Sequence, residues 1–124
     1  MRGVLIAGLI VAAAPAFAAA DGNAKLQHFL AGKVAGKPAE CIRPDFSAQP
    51  VIYDEAGIVY HTPRATYVAR MQGACPQLRE SRRIVTSSLA GRLCRNDQVQ
   101  IVDVTGRPGY GFCTFDNFTP YSRK

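Results

Sequence analysis

Four cysteines, at positions 41, 75, 94 and 113, follow an apolar N-terminal segment. Together these two features constrain the chain more than anything else in it. Arg2 gives a minimal positive start, and Gly3 to Ala14 form a mostly apolar run. Ala16-Phe17-Ala18 and Ala18-Ala19-Ala20 each fit a small-x-small cleavage site, so residues 1–20 read as a secretory signal peptide. The apolar run is too short to span a bilayer and has no stop-transfer flank. The expected product is a single disulfide-tied β domain at residues 21–124, periplasmic or secreted, with cleavage after Ala18 or Ala20.

An even number of cysteines behind a leader reads as two disulfides. Four cysteines allow three connectivities, and sequence alone leaves all three open. The expectation favoured here is 75–94 with 41–113. The first bridge would close the short loop CPQLRESRRIVTSSLAGRLC, worth about 3 kcal/mol in the chain-entropy treatment. The second would tie the first strand to the last. No cysteine pair has zinc-knuckle or C-x-x-C spacing, so neither metal nor redox chemistry is expected of them.

Periodicity predicts one helix and then short strands. Leu26, Phe29, Leu30 and Val34 fall at helical spacing within 22–39, with Gly36 and Pro38 ending the helix. Cys41-Ile42-Arg43 is a short strand. Val51 to Tyr53 and Ile58 to His61 flank Asp54-Glu55-Ala56-Gly57 as a hairpin, with Gly57 suited to a left-handed turn position. Ala65 to Met71 and Arg82 to Ser87 follow as strands, with one helical turn at Gln77 to Ser81 between them. Val99 to Val104 and Tyr110 to Phe115 are the last two strands, and Phe118 and Tyr121 are expected to fold back as an apolar cover. Turn signals every eight to twelve residues favour a mostly β fold, a small sandwich or a barrel-like antiparallel sheet, with a short N-terminal helix.

Several of these pieces resemble a family of small exported bacterial proteins known only as a domain of unknown function. They are Ala35-Gly36-Lys37-Pro38 before Cys41-Ile42, the Val51–Tyr60 hairpin with Asp54, and Cys75-Pro76-Gln77-Leu78. Leu93-Cys94-Arg95-Asn96-Asp97 with Val99-Gln100-Ile101, and Cys113 before Phe115, complete the set. The resemblance implies a two-disulfide, mostly β exported module whose cysteines are framework. It brings no catalytic or binding residues with it.

Catalytic constellations are weak. His61 at a strand end could act as a base, oriented by Asp54 or Asp103, with Ser87 or Ser88 as nucleophile, but no G-x-S-x-G elbow surrounds those serines. Asp54-Glu55, Asp97 and Asp103 sit at turns, where carboxylates bond backbone N–H groups. The Gly106–Gly111 run opens no helix, so it reads as a turn. No cofactor is expected.

Charge is the remaining signal. The whole chain carries a net +6. The segment from Arg64 to Arg95 alone holds seven arginines and one acid, Glu80. Arg79, Arg82, Arg83, Arg92 and Arg95 cluster inside or beside the segment between Cys75 and Cys94. A planar guanidinium suits carboxylate or phosphate. The expected function is therefore non-catalytic binding of an anionic envelope component or an acidic protein through that patch. Two alternatives remain. One is a small hydrolase or transferase built on His61. The other is an inhibitor or assembly partner of an exported enzyme, presenting the arginine loop or the Asp54–Gly57 tip. Export and the lack of an aromatic ladder argue against nucleic acid.

Overall fold

In the computed structural model, residues 19–87 and 91–124 are described, with Gly3 and Gly8 singly before them. The expected signal peptide, residues 1–20, lies outside the described residues apart from Gly3, Gly8, Ala19 and Ala20. Helix α1 spans Ala19–Leu30. Among the described residues nine strands follow: β1 (Lys33–Ala35), β2 (Cys41–Ile42), β3 (Val51–Tyr53), β4 (Gly57–His61), β5 (Thr66–Met71), β6 (Arg83–Thr86), β7 (Leu93–Cys94), β8 (Gln98–Val102) and β9 (Pro108–Arg123).

Strand β9 is the spine. Its C-terminal half pairs with β5 on one edge and β1 on the other, and its N-terminal half pairs with β8. The antiparallel order β3-β4-β5-β9-β8-β6 curls into a half-barrel. Phe115 and Phe118 both lie in the core, although an odd spacing should put them on opposite faces of a regular strand. A bulge resolves this. Ala69 pairs with Phe118 and Met71 with Phe115, so β9 carries one extra residue there and the alternation flips. The two rings then meet at 5.3 Å between centroids.

The same flip carries Pro120 within the strand. Its carbonyl accepts from the Gly36 N–H at 2.7 Å on the β1 side. The donor that proline lacks points to that same edge, so no bond to β5 is lost. Phe118 and Tyr121 therefore continue the sheet rather than folding back as a cover. The register slips again between Gln100 and Val102, which leaves Ile101 and Val102 both buried.

Strand β4 is buried on both faces. Ile58 and Tyr60 point into the main core with Ala69, Leu78, Val99, Ile101, Phe115 and others. Val59, paired with Val68, faces outward beneath Leu26 and Leu30 of α1. Burying each leucine there contributes about 1.5–3 kcal/mol. The helix can sit this close because of Gly22. A Cβ on that residue would fall on the Asp54 carbonyl oxygen and within 2.8 Å of the Asp54 nitrogen. The helix ends at Leu30, earlier than its apolar spacing suggests. Val34 is instead in β1 and 46% exposed, because pairing with β9 outcompetes another helical turn. In the β3–β4 turn both Glu55 (φ 57°) and Gly57 (φ 156°) take positive φ. Gly57 is required because a Cβ would lie 2.7 Å from the Ala69 carbonyl oxygen.

The disulfides are Cys41–Cys94 and Cys75–Cys113, which overturns the expected 75–94 and 41–113 pairing. Strands β2 and β7 form a two-stranded ribbon in which Cys41 lies opposite Cys94, with Cα atoms 4.0 Å apart. Ile42 and Leu93 on the ribbon's other face close the core. Beyond β5, the Gln72 N–H reaches the Thr114 carbonyl, which carries the chain on to place Cys75 6.1 Å from Cys113. Register between distant strands thus decided the pairing, not loop length. Residues 76–82 form turns rather than the expected helical turn.

Candidate anion-binding surface

The fold separates the five candidate arginines. Arg79 leans on the β3–β4 turn, with Nη1 3.8 Å from the Asp54 carboxylate and Nη2 3.9 Å from that of Glu55. Arg95 places Nε 3.2 Å from Asp116 Oδ1. Both are partly or largely exposed pairs, which contribute little to stability but offset each arginine's charge locally. Arg92 precedes β7 and lines a shallow recess with Ser87, Cys94 and Asp97.

Arg82 and Arg83 stay together. They line a cleft of about 150 Å³ with Gln49, Pro50, Ile52, Glu80 and Ile84. Ile52 belongs to β3 and Ile84 to β6, so the cleft lies between the two edge strands of the half-barrel. Arg82 is fixed from two sides. Its Nη1 donates to the Gln77 carbonyl at 2.7 Å, and its guanidinium carbon stands 3.8 Å from the centre of the Tyr110 ring. Cation–π stacking of this kind holds the group while leaving other N–H donors outward. Neither Arg82 nor Arg83 has a carboxylate within ion-pair distance among the described residues. The nearby Glu80 is held 3.4 Å from Lys25. Tyr110 is the site residue that sequence reasoning missed. It comes from β9, and no motif links it to Arg82.

The residues considered for catalysis are apart. His61 Nδ1 is 3.4 Å from the Thr66 hydroxyl, and His61 is exposed. Asp54 accepts from the Glu80 N–H at 2.7 Å. Asp103 accepts from the Thr105 hydroxyl and the Thr105 and Arg107 N–H groups. The Thr105 hydroxyl foremost, with the Arg107 N–H, holds the Asp103 carboxyl below its ordinary 3.8. Asp97 accepts from the Cys94 N–H as a turn former. Ser88 lies outside the described residues. The Asp54–Gly57 tip is tied down, because the Glu55 N–H also donates to the Leu78 carbonyl at 2.8 Å. Among the described residues no three His, Cys, Asp or Glu side chains gather as a metal site, and no helix is long and apolar enough to cross a membrane.

No family model matches this chain, and neither does any curated protein or solved structure.

Proposed function

We propose that the chain is an exported bacterial binding module, periplasmic or secreted after loss of its leader. On this reading it belongs with the exported domain of unknown function that its cysteine-flanking motifs resemble. It performs no catalysis of its own and docks an anionic envelope component or acidic protein. Of the five arginines, Arg82 and Arg83 make the primary contact, and Arg92 contributes from its separate recess. Arg79 and Arg95 act mainly in their own ion pairs.

One observation carries this reading. Arg82 is pre-positioned by Gln77 and Tyr110, beside Arg83, with no carboxylate within ion-pair distance among the described residues. A fixed guanidinium gives up less side-chain freedom on binding than a mobile one. The test is co-sedimentation with phosphatidylglycerol vesicles and titration with a poly-glutamate peptide, each at rising salt. The Debye length shrinks from about 30 Å at 0.01 M to about 8 Å at physiological salt, so binding should fall steeply. It should also fall in Arg82→Gln and Arg83→Ala. Binding that ignores both salt and these substitutions would refute the reading.

A further inference from the structure

A second cationic surface lies at the far end of the sheet, and its residues come from three separate stretches of the chain. Lys33 of β1 pairs directly with Arg123 of β9. Side chains directly opposite in a pair share one face, so two cations stand side by side there, an arrangement that destabilises a sheet unless something offsets it. Tyr121, two residues back, lies beside Thr66 of β5, and Thr66 lies beside His61 of β4. By the two-residue alternation, all five sit on the outer face, the one α1 covers through Val59 and Val68. The helix stops at Leu30 and leaves this end open.

The result is a groove of about 550 Å³ with His61, Thr66, Tyr121 and Arg123 on its floor. Phe29 and Lys33 form one wall, and the Thr62–Ala65 turn with Arg64 forms the other. Among the described residues no carboxylate side chain lines it. Among the described residues, none of Lys33, Arg64 and Arg123 has an ion-pair partner. Asp45, whose N–H donates to the His61 carbonyl, turns its own carboxylate to the Ser47 N–H and hydroxyl. Lys33 is held in place, with Nζ 2.7 Å from the Phe29 carbonyl and 4.5 Å from the centre of the Phe29 ring. Two of its three N–H donors remain.

We propose that this groove binds a ligand carrying two or more phosphate groups. Each phosphate offers three acceptor oxygens and close to two negative charges at neutral pH. Two such groups would match three cations and the Thr66 hydroxyl better than a single carboxylate. The phosphates would bridge Lys33 and Arg123 and relieve their mutual repulsion. The site is independent of the Arg82–Arg83 cleft, so either can fail without the other.

The test titrates the folded protein with inorganic pyrophosphate by calorimetry and with phosphatidylcholine vesicles containing phosphatidic acid by co-sedimentation. The NMR signals of His61 and Thr66 are followed in parallel. Pyrophosphate, the vesicles or both should bind and shift those signals, and which of them does so separates a free from a lipid-borne phosphate. Arg64→Gln with Arg123→Gln should weaken the binding that shifts His61 and Thr66 about tenfold. Both substituted arginines are exposed and make no side-chain hydrogen bond among the described residues, so the double variant should fold. No binding of either probe would overturn the proposal. So would poly-glutamate shifting His61 and Thr66 as tightly as pyrophosphate does, affinity at those signals unaffected by the double substitution, or shifts confined to Arg82 and Arg83.

Discussion

Tyr60 is the most buried polar group in the main core, and replacing it should stabilise the protein. Its side chain is 5% exposed and its ring stands edge-on to Phe115. The hydroxyl has no hydrogen-bond partner among the described residues. An unpaired buried hydroxyl costs about 1–3 kcal/mol of desolvation. Tyr60→Phe removes that cost and keeps the ring, while losing only the few dispersion contacts of one oxygen. The expected gain is about 1 kcal/mol, or roughly 4–8 °C in Tm for a domain of this size. Urea unfolding at neutral pH should show a higher midpoint at an unchanged slope. A second signature lies at alkaline pH. Burial raises the Tyr60 hydroxyl above the ordinary 10.0, so the folded state keeps the proton that the unfolded chain releases. Its contribution is complete below pH 10.0 and drains away as pH rises beyond it. The phenylalanine variant lacks this loss, so its advantage should widen above pH 10.0. A variant less stable by 1 kcal/mol or more would show that the hydroxyl is paired.

Gly22→Ala should destabilise the protein in urea, although helix propensity alone favours alanine by about 1 kcal/mol, because the new methyl meets the Asp54 backbone. Cys75→Ala with Cys113→Ala should lower stability by about 4 kcal/mol from loop closure, measured on oxidised protein. The loss should exceed that for the Cys41–Cys94 pair, because Cys75 and Cys113 are both buried in the main core whereas Cys41 is exposed. In a pH titration by NMR, the Thr105 and Arg107 amides should follow Asp103 with a midpoint below 3.8, and Asp103→Asn should abolish that titration. The stability Asp103 supplies is present above pH 3.8 and lost as pH falls through its lowered pKa.

The elements legible in the sequence are those whose signals are local. The β3–β4 hairpin shows in two apolar runs around a turn, β8 in Val99 and Ile101, and the two-disulfide count in the cysteines themselves. What stayed hidden depends on long-range register. Lys33–Ala35 becomes a strand only because β9 offers an edge, and Leu93-Cys94 only because Cys41-Ile42 lies opposite. Strand β9 hides its length behind Gly109, Gly111 and Pro120, residues that ordinarily end strands. The arginine cluster was visible as composition. Its division into two ion-paired arginines and an Arg82–Arg83 cleft needed the positions of Asp54, Asp116 and Tyr110. The groove at Lys33, Arg64 and Arg123 left no local trace, because its cations are spread over ninety residues of chain.

The pairing of cysteines tests the half-barrel most directly, since both grooves depend on the registers that set it. Trypsin does not cut the Lys37-Pro38, Arg43-Pro44 or Arg107-Pro108 bonds, so it leaves the four cysteines on separate peptides, residues 34–64, 71–79, 93–95 and 96–123. Digestion of the oxidised protein without reduction, followed by mass spectrometry, should join 34–64 to 93–95 and 71–79 to 96–123. A link between 71–79 and 93–95 would contradict the β2–β7 ribbon, and with it the placement of both surfaces.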